Sequence, residues 1–401
     1  MTRREERSSP GSSRTAVDSL LIPKYGEASL AEVVPSLLSA VGVPSFANAL
    51  GLDALPGVCL VVIDGLGWVQ LDEHRAQAAF LASGLETGRA LTAGFPSTTA
   101  TSLASLGTGL PPGAHGLVGL TVRMADGARP MSLLRWEVYG GGAATDLRDE
   151  VPPEKFQPSP TVLERARRSA VRITLVGPPE NVGSGLTRAI LRGGDHASAT
   201  TLDELVEVTG EAVATGRGAP VFAYHPFLDT IGHIRGVGTE EWGSYLQQVS
   251  EALEALLGRL PQGWALAVTS DHGMVNVEDG SRVDLGDEPA LMTGVTVVAG
   301  EPRARHIHVE HGALDDVRSR WTERLDGIAW VLSGDEAVEQ GLFGDEVREY
   351  VRPRIGDLVV AARGNGGVFH RLEEPVLAGL IGQHGSLTPA EQLVPLLFFV
   401  K

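Results

Sequence analysis

Val58-Cys59-Leu60-Val61-Val62-Ile63 is an unbroken apolar run that ends on Asp64-Gly65. Its length and its β-branched side chains read as a strand, and apolarity at every position places that strand in a sheet covered on both faces. Ala265-Leu266-Ala267-Val268-Thr269 is a second run of this kind and leads into Ser270-Asp271-His272-Gly273. In layered sheets of parallel strands, working residues sit just past the strand ends, where Asp64, Asp271 and His272 fall. Further short apolar runs at 171–176, 221–224, 294–298, 306–309, 358–361 and 396–400 predict strands. They alternate with amphipathic stretches at 30–38, 71–82, 98–105, 161–168, 202–214, 240–260, 314–324 and 389–393, which predict helices. The alternation predicts an α/β fold: a central, mostly parallel sheet with helices on both faces.

The first residues, Met1-Thr2-Arg3-Arg4-Glu5-Glu6-Arg7-Ser8-Ser9-Pro10-Gly11, are charged and then rich in Ser and Gly. Residues 1–17 are therefore expected to form a disordered leader, with one α/β domain over 18–401. Pro152-Pro153 and Gln157-Pro158-Ser159-Pro160 read as loop rather than as a domain boundary. The stretch at about 280–350 carries strand, helix and strand signals but none of the polar motifs described below. It reads as a small α+β cap inserted ahead of the last motif.

Hydrophobic residues make up 43% of the 401, enough to build a sizeable core. A formal charge of −17 argues against a nucleic-acid polymer or an anionic membrane as partner. An acidic protein that handles phosphate must concentrate positive charge locally, and bound cations would do so. Cys59 is the only cysteine and lies mid-strand, so it reads as buried and inert, and no internal disulfide can form. No run approaches the roughly eighteen apolar residues of a spanning helix, and the first residues lack the apolar stretch of a secretory signal. The expected location is the cytoplasm.

Polar residues recur at the ends of apolar runs or in glycine-containing turns. Phe95-Pro96-Ser97-Thr98-Thr99 places hydroxyls at a helix start, where free N–H groups and the helix dipole favour an anion. Asp229 and His233 are four apart, so one helical turn brings both to the same side. Asp271 and His272 follow a strand, and His384 lies in Gly382-Gln383-His384-Gly385. Each has an ordinary reading in isolation: turn or cap residues for Asp64 and the hydroxyls, an exposed ion pair for Asp229 and His233. Together they make three carboxylates, three imidazoles and one hydroxyl. The set divides into Asp229, His233 and His384 for one ion, and Asp64, Asp271, His272 and the hydroxyl for a second. Mixed nitrogen and oxygen ligation favours Zn²⁺, with Mn²⁺ also suited. Two cations about 3.5–4 Å apart bind the attacking and the leaving oxygen of a phosphoryl transfer.

These motifs resemble the alkaline phosphatase superfamily, and within it the nucleotide pyrophosphatase/phosphodiesterase (type I phosphodiesterase) branch. The resemblance spans Val61 to His384 and includes Gly107-Thr108-Gly109-Leu110-Pro111-Pro112-Gly113-Ala114-His115-Gly116-Leu117-Val118, which looks like the stretch after the family's nucleophile helix. It implies an alkaline phosphatase-like fold. Its register puts the threonine nucleophile, also a metal ligand, on Thr99, or on Thr98 if the register slips by one. The family's metal ligands fall on Asp64, Asp229, His233, Asp271, His272 and His384. One position departs: where the family's phosphodiesterases carry a phosphate-holding asparagine, this chain has Leu120, with Thr121 and Arg123 nearby as replacements. The nucleophile position holds no cysteine or serine of the sulfatase kind. The implied function is two-metal cleavage of a phosphodiester or pyrophosphate bond in a nucleotide-like small molecule. The rivals are a phosphomonoesterase using Arg123 or Arg188, a phosphonate hydrolase, and a non-catalytic nucleotide-binding protein. The sequence does not set the oligomeric state.

Overall fold

The strand Val58–Ile63 lies at the centre of a seven-stranded sheet, with all six residues buried. Successive side chains of a strand point to opposite faces, and here that alternation divides the core. Cys59, Val61 and Ile63 pack with Leu246, Val249 and Leu253 on one face, while Val58, Leu60 and Val62 pack with Leu37, Leu38 and Leu163 on the other. Burying such side chains contributes roughly 1.5–3 kcal/mol each. The computed structural model describes residues 20–125, 127, 129–140, 145–216 and 218–401. The expected leader at 1–17 lies outside the described residues.

Across the sheet the strands run Arg89–Thr92, Leu393–Val400, Ala265–Thr269, Val58–Ile63, Val221–His225, Thr174–Gly177 and Asp195–Ser198. Val58–Ile63 is parallel to both neighbours, with Val62 opposite Tyr224 on one side and Thr269 on the other. Leu393–Val400 alone runs against its neighbours. The carboxyl ends of the parallel strands therefore share one edge with the start of the final strand. The helix Glu240–Arg259 shows why helices cover the faces: Trp242, Leu246, Val249, Leu253 and Leu256 recur every three or four residues and are buried. Thr239 caps it, accepting from Trp242 N–H, and Glu240 and Glu241 favour its positive end.

Several elements differ from expectation. The helix predicted over 71–82 divides into Trp68–Glu73 and Ala79–Ser83, separated by a turn that Ala78 N–H closes onto the His74 carbonyl. The strand predicted over 171–176 forms later, at Thr174–Gly177. Arg89–Thr92 and Asp195–Ser198 were not expected as strands. Both are sheet edges with exposed positions, so neither has the all-apolar signature of the centre.

A second, four-stranded antiparallel sheet holds Val295–Glu301, Ala304–Val309, Leu358–Ala362 and Ala329–Ser333 in that order. Its strands thus reach past residue 350, to Ala362. The helix Leu314–Arg324 covers it with buried Val317 and Trp321. Among the described residues, no helix is long and apolar enough to cross a membrane.

Candidate active site

Asp64 continues the sheet ladder one residue past its strand, its N–H donating to the His225 carbonyl at 3.0 Å. The chain then turns at Gly65, whose φ of +74° suits glycine, and a Cβ there would lie 2.9 Å from Asp229 Cβ. That close approach brings the Asp64 and Asp229 segments together. Gly65 N–H donates to Asp271 Oδ1 at 3.1 Å, and Leu66 N–H to Ser270 Oγ at 2.9 Å, which ties in the end of Ala265–Thr269. Asp271 and His272 are completely buried there. Asp229 and His233 share one side of the helix Phe227–Arg235, with His233 Nε2 3.3 Å from Asp229 Oδ2. His384 arrives from the loop before the last strand; its Nε2 is 3.9 Å from Asp229 Oδ1 and its ring stacks on His272 at 3.6 Å. Thr99 opens the helix Thr99–Thr108, and its Oγ1 is 3.2 Å from His272 Nε2. All seven residues singled out in the sequence thus meet at one edge of the sheet.

Hydrogen bonding at the far side of each ring fixes what the imidazoles present. Nδ1 of His233 lies 2.7 Å from the Gly382 carbonyl, Nδ1 of His272 3.0 Å from that of Gly273, and Nδ1 of His384 2.9 Å from that of Ser97. A carbonyl can only accept, so each Nδ1 carries a proton and each Nε2 turns inward; burial disfavours the charged form of His272 and His384, which leaves an Nε2 lone pair on those two rings. His272 Nε2 is then 3.4 Å from both Asp64 Oδ1 and Asp271 Oδ2, acceptor facing acceptor. Asp64 Oδ1, Asp229 Oδ1 and Asp271 Oδ2 are buried without a hydrogen-bond partner. Buried lone pairs aimed at one another with no proton between them suit a cation. Two groups have donor atoms close enough to hold one: Asp229, His272 and His384; and Asp64, Asp271 and His272. His272 stands in both groups, a sharing that the division made from sequence did not anticipate.

The electrostatics agree with that geometry. Burial raises the Asp64 carboxyl well above the usual range, and the charges of Asp271 and Asp229 raise it further. Asp229 is pushed up to about 6, chiefly by burial, with His233 opposing and Asp271 adding to the rise. Asp271 is raised by burial as well. Burial drives His272 down to about 3, and burial likewise holds His384 well below its ordinary value, the neighbouring imidazoles acting in the same direction. The pocket thus penalises both charged carboxylates and charged imidazoles. A divalent cation at the centre would relieve the first penalty and use the neutral rings of the second.

Two neighbours escaped the sequence reading. The Tyr224 hydroxyl donates to Asp64 Oδ2, fixing that carboxylate from the adjacent strand. Glu301, from the second sheet, is 3% exposed and accepts from Leu120 N–H at 2.7 Å through Oε2, while its Oε1 is buried without a hydrogen-bond partner. It also packs against Gly385, beside His384. The stretch at 280–350, which lacks motif residues, therefore supplies a side chain to the site's border. The residues weighed as replacements near Leu120 are otherwise engaged. Thr121 Oγ1 donates to the Gly300 carbonyl, Arg123 Nη1 lies 3.4 Å from His308 Nδ1, and Arg188 pairs with Glu154 at 2.9 Å. The Ser97 hydroxyl, just before the two threonines, donates to the Ser386 carbonyl at 2.8 Å.

Residues 58–387 match the family model for type I phosphodiesterase / nucleotide pyrophosphatase. The fold is similar to that of murine ectonucleotide pyrophosphatase / phosphodiesterase 5, with a TM-score of 0.60 at 17% identity over 85% of this chain and 87% of that one. An inactive threonine-to-alanine form of the murine protein, in complex with AMP, has a TM-score of 0.61 at 17% identity over 85% and 87% of the two chains. Phosphonoacetate hydrolase from Sinorhizobium meliloti 1021, in complex with phosphonoformate, has a TM-score of 0.62 at 19% identity over 86% and 89%. A comparison with curated proteins gave no sequence match.

Proposed function

The chain belongs to the type I phosphodiesterase / nucleotide pyrophosphatase family, and from that premise we propose that it hydrolyses a phosphodiester or pyrophosphate bond of a small molecule with Thr99 as nucleophile and two divalent cations as cofactors. The observation that carries the reading is the set of unpartnered carboxylate oxygens on Asp64, Asp229 and Asp271, facing the inward Nε2 atoms of His233, His272 and His384. Asp229, His233 and His384 would hold one ion, and Asp64, Asp271, His272 and Thr99 the other. The donor set suits Zn²⁺, with Mn²⁺ the alternative. When bound, the cations supply Lewis acidity that lowers the pKa of the hydroxyl and offsets charge on the phosphoryl oxygens.

The chain's own residues account for the remaining steps. No side chain caps the helix Thr99–Thr108, so its first-turn N–H groups face the phosphoryl group beside the nucleophile. Thr99 Oγ forms a bond to phosphorus while the bond to the leaving oxygen breaks, and water then cleaves the phosphothreonine. A phosphomonoester dianion needs an additional positive group, and both arginines considered for it are engaged elsewhere, which favours the diester. The family supports a nucleotide-like substrate, and the single buried cysteine suits a reducing cytoplasm.

Turnover of thymidine 5′-(4-nitrophenyl phosphate) and of 4-nitrophenyl phosphate, each with Zn²⁺ and with Mn²⁺, tests the proposal. Faster diester cleavage that disappears with chelator is expected. No cleavage of either ester by protein shown to hold metal would leave a binding protein as the better account.

A further inference from the structure

A largely apolar cavity of about 320 Å³ opens beside the nucleophile, and Thr99 and Tyr224 are part of its wall. Tyr224 is the residue whose hydroxyl holds Asp64, so the cavity and the cation-binding edge share a wall. Its depth is formed by Leu60 and Val62 from the central strand, Phe222 from the next strand, Leu103 and Leu106 from the nucleophile helix, and Leu175. At its mouth lie Val182 and Leu134, 49% and 37% exposed, two of the few large apolar side chains left in water. Among the described residues, no aspartate, glutamate, lysine or arginine lines it. The Ser184 hydroxyl at the rim already accepts from Thr187 N–H.

We infer that this cavity holds an apolar alkyl or aryl group that stays on the phosphorus of the substrate. The inference rests on the phosphoesterase reading and replaces its nucleotide-like substrate with an ester whose retained group is apolar. Direction comes from the chemistry: in an in-line displacement the leaving group departs opposite the attacking oxygen. A cavity whose wall includes Thr99 therefore faces a substituent that is retained. Thr99 Oγ gives up its proton to solvent and bonds to phosphorus as the P–O bond to the leaving alkoxide or aryloxide breaks with its electron pair; water then attacks phosphorus, the Thr99 Oγ–P bond breaks, a proton returns to Oγ, and the monoester carrying the apolar group is released. Class comes from the lining, in which apolar side chains outnumber Thr99, Asn181, Ser184, Thr187, His196 and Tyr224: a ribose or a base edge placed against Leu60, Val62, Leu175 and Phe222 would lose water and gain no polar partner from them. Alkyl or aryl surface loses nothing by the same transfer and gains by leaving water.

Gly177 lines the cavity and offers a position from which to fill it. A Cβ there meets only Tyr224 O at 3.5 Å and Tyr224 Cβ at 4.0 Å, ordinary contact distances. The experiment compares 4-nitrophenyl methyl, butyl and octyl phosphate and thymidine 5′-(4-nitrophenyl phosphate) on the Zn²⁺-loaded full chain, its Gly177→Leu variant and its Val182→Asp variant. Calorimetry of methylphosphonate and octylphosphonate accompanies the kinetics. In the native protein kcat/KM should rise with chain length, the octyl ester exceeding the methyl by on the order of tenfold or more. That ratio should fall toward one in Gly177→Leu and decrease in Val182→Asp; because it is internal to each protein, a partial folding loss cancels. Turnover indifferent to chain length, or fastest on the thymidine ester, overturns the cavity assignment and leaves the phosphoesterase reading intact. No turnover, combined with octylphosphonate binding that Gly177→Leu weakens, upholds the cavity and removes the phosphoesterase reading. Neither turnover nor chain-length-dependent binding overturns both.

Discussion

Thr99 Oγ1 stands 3.2 Å from His272 Nε2, at the first position of a helix that no side chain caps. The hydroxyl is thus held against the residue shared by both candidate cation groups. Removing it in Thr99→Ala should lower turnover by roughly a thousandfold or more. The other six donors stay in place, so metal analysis should still find close to two ions per chain. Thr98→Ala, which removes a hydroxyl beside the site and leaves all seven proposed donors in place, should cost far less. The reverse pattern in the two variants would move the nucleophile to Thr98.

Tyr224 is a second point of leverage, because its hydroxyl donates to Asp64 Oδ2 without itself being placed to bind a cation. Groups that orient metal ligands typically change affinity by 10–100-fold. Tyr224→Phe should therefore weaken Zn²⁺ binding by about tenfold while leaving thermal stability of the metal-free protein nearly unchanged. Competition with a chromophoric chelator measures the first and a melting curve the second. Unaltered affinity would mean that Asp64 is fixed by its backbone alone.

Much of the fold could be read from the chain, and the physical reason is burial on both faces. Val58–Ile63 and Ala265–Thr269 are apolar throughout because helices cover them from either side, and both occur at the residues expected. Asp64, Asp271 and His272 were visible because they follow such runs closely, whereas Thr99, Asp229, His233 and His384 were read from a helix start, a four-residue spacing and a glycine-flanked loop. Tyr224 and Glu301 were not. Tyr224 looks like any aromatic strand residue until the strand order sets it beside Asp64. Glu301 lies in Gly300-Glu301-Pro302, which reads as an exposed turn, and its partner Leu120 is 181 residues away. Edge strands such as Asp195–Ser198 are equally faint, since pairing rather than composition makes them strands.

Stability near the site depends on a buried ion pair that the sequence does not reveal. Arg303 and Glu391 are both 0% exposed and meet in two hydrogen bonds, of 2.7 and 2.6 Å. Glu391 also accepts from Ser386 N–H at 3.0 Å and from the Thr388 hydroxyl, which anchors the loop after His384. Arg303→Met leaves that carboxylate buried without its countercharge and should cost about 3–5 kcal/mol in urea unfolding. Arg303→Met combined with Glu391→Gln should recover a good part of the loss. A single variant as stable as the native chain would mean that water reaches Glu391.

Glu301 provides a pH-dependent signature of the contact between the second sheet and the site. Burial pushes its carboxyl up to about 8, against the lowering effect of Leu120 N–H and Arg305. A carboxyl raised from the ordinary value of 4.5 to about 8 stays protonated in the fold across a range where the unfolded chain has released its proton. Its stabilising contribution is complete below the lower value and is lost as pH rises through about 8. Glu301→Gln is neutral throughout and escapes that loss. Its stability relative to the native chain should therefore rise between pH 5 and 8.5, by up to about 1.4 kcal/mol per pH unit, and level off above. Histidines held down near 3, such as His115 and His306, weaken both proteins alike as pH falls below the ordinary histidine range, so the difference between the two curves isolates Glu301. Parallel melting-temperature curves over that interval would show that the carboxyl is already ionised in the fold, with a counter-ion or water supplying what Leu120 N–H does not.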